Sequence, residues 1–396
     1  MHMVLSTLLL VFVISVAIPT ATLCIEVLAA FLRTTPRSVL GSRPENVAIL
    51  IPARNEEATL LSTLASIKIQ LRPTDILLVV ADNCTDKTSE IATAAGATVV
   101  ERNDSTRVGK GYALAFGVRL LESSPPSAVI VIDADCQVSP GAIDELATTA
   151  VATQRPVQAL YLMTTAEGAG INQQVAEFAW RVKNWVRPLG LFKLGLPCQL
   201  MGTGMAFPWP VIRKADLASG SIVEDLKLGL DLAATGNAPT FLHSARVYSQ
   251  FASSKRGEDT QRQRWEHGHI ATILRYAPRL FFKSLLTSDI GLLALTLDLA
   301  VPPLSLLAML LAFSFLLSAI GALIGLGVVA LIMSTVTLAG FVLAVGMAWR
   351  CFGREILPAS AVASVPLYVL RKFGLYRRAL SGRETTDWVG TDRTKT

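Results

Sequence analysis

The chain has 396 residues, 52% of them hydrophobic and 17% charged, with a formal net charge of +6. It is too long for one small domain and too apolar for a wholly soluble enzyme, so membrane segments are expected. Its basic residues Arg33, Arg37, Arg43, Arg371, Lys372, Arg377 and Arg378 sit beside apolar runs and form no stripe for nucleic acid; anionic lipid and phosphate are the expected counter-charges.

The first predicted element is a membrane anchor, residues 1–35. From about Val4 to about Leu32 the sequence is apolar except for small hydroxyls, Pro19 and Glu26, longer than the roughly 20 residues a helix needs to cross a bilayer. A cleaved signal peptide is the alternative, but its apolar stretch would be shorter and would follow basic residues. Arginines follow the run and none precede it, so the positive-inside rule puts the next segment in the cytoplasm and the N-terminus outside.

From about Asn46 to about His269 strand and helix patterns alternate, which predicts an α/β domain with a mostly parallel central sheet. Short runs rich in Val, Ile or Leu predict buried strands at Asn46–Ala53, Asp75–Ala81, Ala97–Glu101 and Ala128–Ile132. One helix is expected from Asn55 as N-cap, with Glu56 and Glu57 in its first turn and Leu60, Leu61, Leu64 and Ile67 facing inward. Another is expected after Ser139 and Pro140, a cap followed by proline at the first helical position, and a third over Asp225–Ala234.

Two further apolar stretches, Gly291–Ile320 and Gly321–Ala348, predict a helical hairpin whose outer ends, flanked by Arg275, Arg279, Lys283, Arg350 and Arg354, face the cytoplasm. The shorter run Ile356–Leu370, interrupted by Pro358 and Pro366, is expected to lie in the interface. Hairpin and interfacial helix together occupy 276–372, and 373–396 form a cytoplasmic tail. Asp298 is read as a carboxylate near the cytoplasmic end of its helix, with an intramembrane role as the alternative. The cysteines are scattered, odd in number and lack metal-ligand spacing, which excludes a disulfide framework or zinc site and fits a reducing compartment.

Ligands of open α/β sheets bind beyond the carboxyl ends of the strands. Two predicted strands end in acids, one running into Asp82-Asn83-Cys84-Thr85-Asp86 and the other into Asp133-Ala134-Asp135. In adjacent strands these would concentrate negative charge in one crevice, and a divalent metal bridging to phosphate oxygens would balance it. Gly109-Lys110-Gly111 lacks the spacing of a Walker loop, and His243, His267 and His269 have no metal-like spacing.

The motifs Pro52-Ala53-Arg54-Asn55-Glu56, Asp82 to Asp86, Arg107-Val108-Gly109-Lys110-Gly111, Asp133-Ala134-Asp135, Gly202-Thr203-Gly204, Glu224-Asp225 and Gln261-Arg262-Gln263-Arg264-Trp265 occur in that order. In this the chain resembles family 2 glycosyltransferases, the group of cellulose, chitin and hyaluronan synthases and exopolysaccharide enzymes. The resemblance runs from about residue 46 to about residue 270. It implies a GT-A (Rossmann-like) nucleotide-sugar-binding domain at 44–275, joined to transmembrane α-helices. It implies Asp135 as the direct ligand of Mg²⁺ or Mn²⁺, with Asp133 nearer the nucleotide and the metal's waters. Asp225 is implied as general base with Glu224 beside it, Arg264 as a brace for the departing diphosphate, and Trp265 as a platform for acceptor sugar. Pro52, Arg54, Glu56, Asp82, Lys110 and Gln261 fall on the donor side, and Gly202, Thr203 and Gly204 on the acceptor side. Val223 stands where the family often has threonine.

The activity so implied is inverting transfer of a hexose or N-acetylhexosamine from a UDP-sugar to a polysaccharide or lipid-linked acceptor at the cytoplasmic face of the cell (inner) membrane. Polysaccharide-export subunits are candidate partners and nucleic acid is not. About three spans are few for a self-sufficient processive synthase, which favours single-sugar addition or polymerisation with partner subunits. The rival enzyme is a lipid glycosyltransferase making a glycolipid or polyprenyl-phosphate sugar; the rival of another class is a noncatalytic scaffold of an export complex.

Overall fold

The computed structural model describes residues 2–33, 41–166, 168–220, 223–251 and 255–372, without the side chains of 255–264 and 371. They fall into two compact units, one holding the described residues among 2–33, 168–195 and 269–372, the other those among 41–166 and 196–268. The tail expected at 373–396 lies outside the described residues.

The second unit is built on one eight-stranded sheet. Its strands are β1 (Val47–Ala53), β2 (Ile76–Asp82), β3 (Thr98–Arg102), β4 (Ala128–Val131), β5 (Gln137–Val138), β6 (Val157–Thr164), β7 (Met205–Pro208) and β8 (Thr240–Gln250). They lie in the order β3-β2-β1-β4-β7-β6-β8-β5. Pairing is parallel from β3 to β4 and between β6 and β8, and antiparallel at β4/β7, β6/β7 and β5/β8. The four strands predicted from apolar runs match β1 to β4 within a residue or so at each end. β2 and β4 are separated by β1, so the two acid-ended strands are not neighbours as expected.

Connecting helices are α2 (Leu60–Lys68), α3 (Thr88–Ala94), α4 (Lys110–Leu121), α5 (Ala142–Thr153), α8 (Trp209–Ile212) and α9 (Glu224–Ala234). Strand alternation gives one sheet face Ala48, Leu50, Leu78, Val80, Val129, Val131, Met205 and Phe207, and these bury against Leu114 and Val118 of α4, Trp209 and Ile212 of α8, and Leu228 of α9. Register then aligns the carboxyl ends of β1, β2 and β4 with the start of antiparallel β7, where Val131 pairs with Met205. The same end of the sheet therefore carries the loops after β1, β2 and β4 and the one before β7, which hold Arg54, Glu56, Asp133, Asp135 and Gly202 to Gly204.

Two helix starts differ from expectation. α2 begins at Leu60 rather than after Asn55, because Asn55 takes a left-handed φ of 55° and its Oδ1 accepts from Thr85 N at 2.8 Å instead of capping its own helix. Its inward face is Leu60, Leu64 and Ile67; Leu61 is exposed. α5 begins at Ala142 behind Gly141 in the left-handed region, and Ser139 Oγ accepts from Arg246 N rather than capping the helix.

The first unit is helical. It contains α1 (His2–Ala29), α6 (Ile171–Arg181), a π-helical turn (Val182–Val186), α7 (Arg187–Lys193), the later part of α10 (Lys255–Thr287), α11 (Ile290–Leu299), α12 (Leu304–Leu323), α13 (Val329–Phe352), α14 (Ala359–Val362) and α15 (Val365–Arg371). Three of these helices, α1, α12 and α13, are long and apolar enough to cross a membrane. The hairpin's first arm is shorter than expected. Pro302 and Pro303 break the chain, so 290–299 form a separate helix and the arm starts at Leu304. α14 and α15, of four and seven residues, are too short to span.

Where α1 meets α7, a Cβ on Gly190 would come within 1.9 Å of Glu26 O, so only glycine permits this backbone approach. Beside it Arg187 Nε donates to Glu26 Oε2 at 2.6 Å, and Arg187 Nη2 donates to Asp298 Oδ1 at 2.5 Å and to Asp298 O at 2.7 Å. Asp298 does sit near the end of its helix, α11, but it is buried and ion-paired.

Candidate active site

The Val-Ile-Val run of β4 buries fully and delivers Asp133-Ala134-Asp135 to the sheet edge. Ala134 points inward and Asp133 and Asp135 are left half-buried beside the crevice. Ligand atoms of Asp133, Asp135 and Cys136 lie within 4.8 Å of one another. The Cys136 thiol donates to Asp135 Oδ1 at 3.3 Å, and burial pushes its pKa well above the ordinary thiol range, so it serves as a proton donor. The remaining carboxylate oxygens form a hard donor set, which suits Mg²⁺ or Mn²⁺ shared with phosphate oxygens.

Lys110, at the start of α4, reaches across to this acid pair. Its Nζ lies 2.5 Å from Asp133 Oδ1 and 4.0 Å from Glu224 Oε1, and donates to Gly202 O at 2.8 Å. Burial alone would lower the pKa of this ammonium, but the carboxylates of Asp133, Glu224 and Asp225 outweigh it and hold Lys110 above its ordinary value. Glu224 is pushed up to about 7 by burial and by Asp225, with Lys110 opposing. Asp133 is raised by burial and by Asp135, again against Lys110.

Glu224 and Asp225 form the first turn of α9, where the helix dipole favours carboxylates. A Cβ on Gly202 would stand 3.2 Å from Asp225 Oδ2 and 3.5 Å from Lys110 Nζ, so the glycine, with φ of 93°, leaves Asp225 open on that side. Gly204 is also left-handed, with φ of 66°. Thr203 between them is buried, and its Oγ1 accepts from Asp133 N at 3.0 Å. Thus Lys110, Asp133, Asp135, Gly202, Thr203, Glu224 and Asp225 are brought together.

The residues expected on the donor side at the carboxyl ends of β1 and β2, Pro52, Arg54, Glu56 and Asp82, gather there. Asp82 Oδ1 accepts from Arg102 Nη1 at 2.6 Å and from Asn83 Nδ2 at 3.0 Å. Burial raises the Asp82 pKa in spite of Arg102, with Arg54 adding a smaller opposing charge. Pro52 is the penultimate residue of β1, opposite Val80. Glu56 is turned to its own loop, with its Oε2 accepting from Thr59 Oγ1 at 2.7 Å and its backbone N donating to Thr88 Oγ1. Arg102 went unnoticed in the sequence because only the β2/β3 register, Asp82 opposite Arg102, makes it a partner.

Gln261 and Arg264 fall among residues whose side chains are not described; the backbone there is helical, in α10. Trp265 lies half-buried on the same helix. Three residues on, a Cβ at Gly268 would meet Val223 Cγ1 at 2.8 Å, so α10 passes against the residue that precedes Glu224. Gly111 is needed for a similar reason: a Cβ there would lie 2.5 Å from Leu217 O and 2.7 Å from Ser219 O, in the loop leading to α9.

The likenesses to known proteins agree with this geometry. The chain is 33% identical over 103 residues to 4,4'-diaponeurosporenoate glycosyltransferase of Staphylococcus haemolyticus, covering 25% of this chain and 26% of that protein. It is 26% identical over 255 residues to probable glycosyltransferase YdaM of Bacillus subtilis, covering 59% of this chain and 58% of the relative. The chain thus spans less than two thirds of the length of either. Among solved structures, the mannosyltransferase PcManGT of Pyrobaculum calidifontis, in complex with GDP-Man and Mn²⁺, superposes with a TM-score of 0.51 at 17% identity, covering 85% of this chain and 97% of that one, which shows a shared fold. A model of the family described as "Glycosyltransferase like family 2" matches residues 44–268, more than half of the chain, and the protein belongs to that family.

Proposed function

We propose that this glycosyltransferase moves a hexose or N-acetylhexosamine from a UDP-sugar to a polysaccharide or lipid-linked acceptor, with inversion, at the cytoplasmic face of the membrane. The observation that carries the reading is the single ammonium of Lys110 set between Asp133 of the metal-type acid pair and Glu224 at the head of α9. That contact supports reading the acid pair as the donor-side cluster and Asp225, beside Glu224, as the general base.

Asp135, with Asp133, would hold Mg²⁺ or Mn²⁺, which when bound neutralises diphosphate charge. Asp225 takes the proton from the acceptor hydroxyl as that oxygen bonds to the anomeric carbon and the bond to the diphosphate breaks. The Lys110 ammonium offsets the mutual repulsion of the Asp133, Glu224 and Asp225 carboxylates, and Glu224, pushed up to about 7, shares the local proton demand. Asp82, positioned by Arg102, accepts from an N–H of the base. Arg264 and Gln261 are proposed to face the departing diphosphate, and Trp265 the acceptor sugar.

Arg33 after α1, and Arg275, Arg279 and Lys283 before α11, support a cytoplasmic catalytic unit. A lipid glycosyltransferase is the second reading, favoured by the 103-residue likeness to a relative named 4,4'-diaponeurosporenoate glycosyltransferase. The test is nucleoside diphosphate release by the detergent-purified protein from a panel of UDP-sugars and GDP-mannose, with Mg²⁺ or Mn²⁺ and membrane lipid extract, and products traced by mass spectrometry. Turnover of one UDP-sugar onto an extract component supports the reading. Turnover of GDP-mannose alone overturns the donor assignment, and silence with every donor favours the scaffold.

A further inference from the structure

β6 contains a residue that its surroundings do not explain. Val157, Ala159 and Leu160 are fully buried apolar side chains in a strand flanked by β7 and β8, yet Gln158 between them is also fully buried. A polar side chain in such a strand persists only if its hydrogen-bonding capacity is used. Here it is used on both sides of the amide. Nε2 donates to Ala159 O at 2.8 Å and to Thr203 O at 2.9 Å, while Oε1 accepts from Met201 N at 2.8 Å. Two carbonyl partners and one N–H partner also fix which end of the amide is nitrogen.

Two of those bonds hold the 201–204 segment, and other atoms of that segment touch the reacting side. Gly202 O receives Lys110 Nζ, and Thr203 Oγ1 receives Asp133 N. Gly202 lies against Asp225 Oδ2, and Gly204 O receives Ala159 N at 2.8 Å. With two left-handed glycines around Thr203 the segment has wide conformational freedom of its own. The restraint must come from outside it, and Gln158 supplies side-chain restraint at two of its backbone groups.

We propose that Gln158 is a positioning residue for transfer: its carboxamide sets the 201–204 backbone and, through it, the placement of Lys110, Asp133 and Asp225. The inference rests on the transferase reading of this crevice. Glutamate at 158 keeps the shape and an acceptor for Met201 N but turns an oxygen toward two carbonyls. Methionine keeps the approximate volume and loses every bond.

The experiment joins hydrogen–deuterium exchange to steady-state kinetics for the wild type, Gln158→Glu and Gln158→Met. In the wild type the Met201 amide exchanges slowly. In either variant that folds, exchange quickens at 201–204 and not across the sheet, and kcat falls roughly 10- to 100-fold, by more than the donor KM rises, with Lys110, Asp133 and Asp225 shifting together. Free exchange of Met201 in the wild type overturns the proposal without any variant. So does an unchanged kcat with a loosened loop, or a loss of kcat that tracks uniform destabilisation. A wild type that turns over no donor instead overturns the transferase reading, and the exchange pattern still tests whether Gln158 holds the loop.

Discussion

Lys110 Nζ stands 2.5 Å from Asp133 Oδ1, joining the start of α4 to the loop after β4 by a half-buried ion pair. The same ammonium faces Glu224 at 4.0 Å, so one positive charge serves acids from two motifs that lie far apart in sequence. Removing the ammonium leaves these acids uncompensated, at a cost below the about 3–5 kcal/mol of a fully buried pair because water still reaches Asp133. Lys110→Met should therefore lower the melting temperature in detergent by several degrees and abolish transfer, whereas a lysine that only touched nucleotide would leave melting unchanged.

Gly111 separates space from flexibility. Gly111→Ala drives a methyl into the Leu217 and Ser219 carbonyls and should displace the loop before Glu224, costing transfer and stability together. Gly346→Ala, in α13 with nothing within 4 Å of the added Cβ, should be neutral or stabilising, since alanine is favoured over glycine in a helix. Melting curves of the two variants check the contrast.

The Glu26–Arg187–Asp298 triad makes a different forecast. Arg187→Met strands two buried carboxylates and should cost about 3–5 kcal/mol. Adding Glu26→Gln and Asp298→Asn to it should recover most of the loss, because the neutral set no longer needs a cation. Thermal unfolding of the single and triple variants in one detergent decides this; equal losses would mean that the guanidinium acts by packing alone.

His269 should impose an acid limit on the helical unit. Its ring Nε2 lies 3.1 Å from Leu299 O, and burial, with Lys183 and Arg187 nearby, lowers its pKa from 6.5 to about 3. The unfolded chain then binds more protons than the folded one between those values, so stability falls as the pH drops below about 6.5. His269→Gln should flatten that part of the melting temperature against pH curve relative to the wild type.

The legible and illegible parts of the sequence divide by the range of the interaction. β1 to β4 announce themselves as apolar runs, and Asp133, Asp135, Glu224 and Asp225 are recognisable because each follows a local signal, a strand end or a helix start. Asn55 shows how a local rule fails: it has the chemistry of a cap, but Thr85, 30 residues away, takes its carbonyl. Arg102, Gln158 and Arg187 carry no local signal, since their roles appear only when β2 meets β3, β6 meets the 201–204 loop, and α7 meets α1 and α11. Leu61 is apolar and exposed, which the helical period cannot foresee once the helix starts five residues later than its apparent cap.

On the proposed function, the crevice between β4 and α9 binds donor with one set of acids and activates acceptor with another. Donor binding and product formation measured side by side for Asp225→Asn and Asp135→Asn test it most directly. The account predicts that Asp225→Asn binds the donor within a few-fold of wild type but forms product at least about 1,000-fold more slowly, as loss of a group acting only in the transition state requires, while Asp135→Asn loses metal-dependent donor binding. Wild-type turnover by Asp225→Asn, or metal-dependent donor binding untouched by Asp135→Asn, would contradict it.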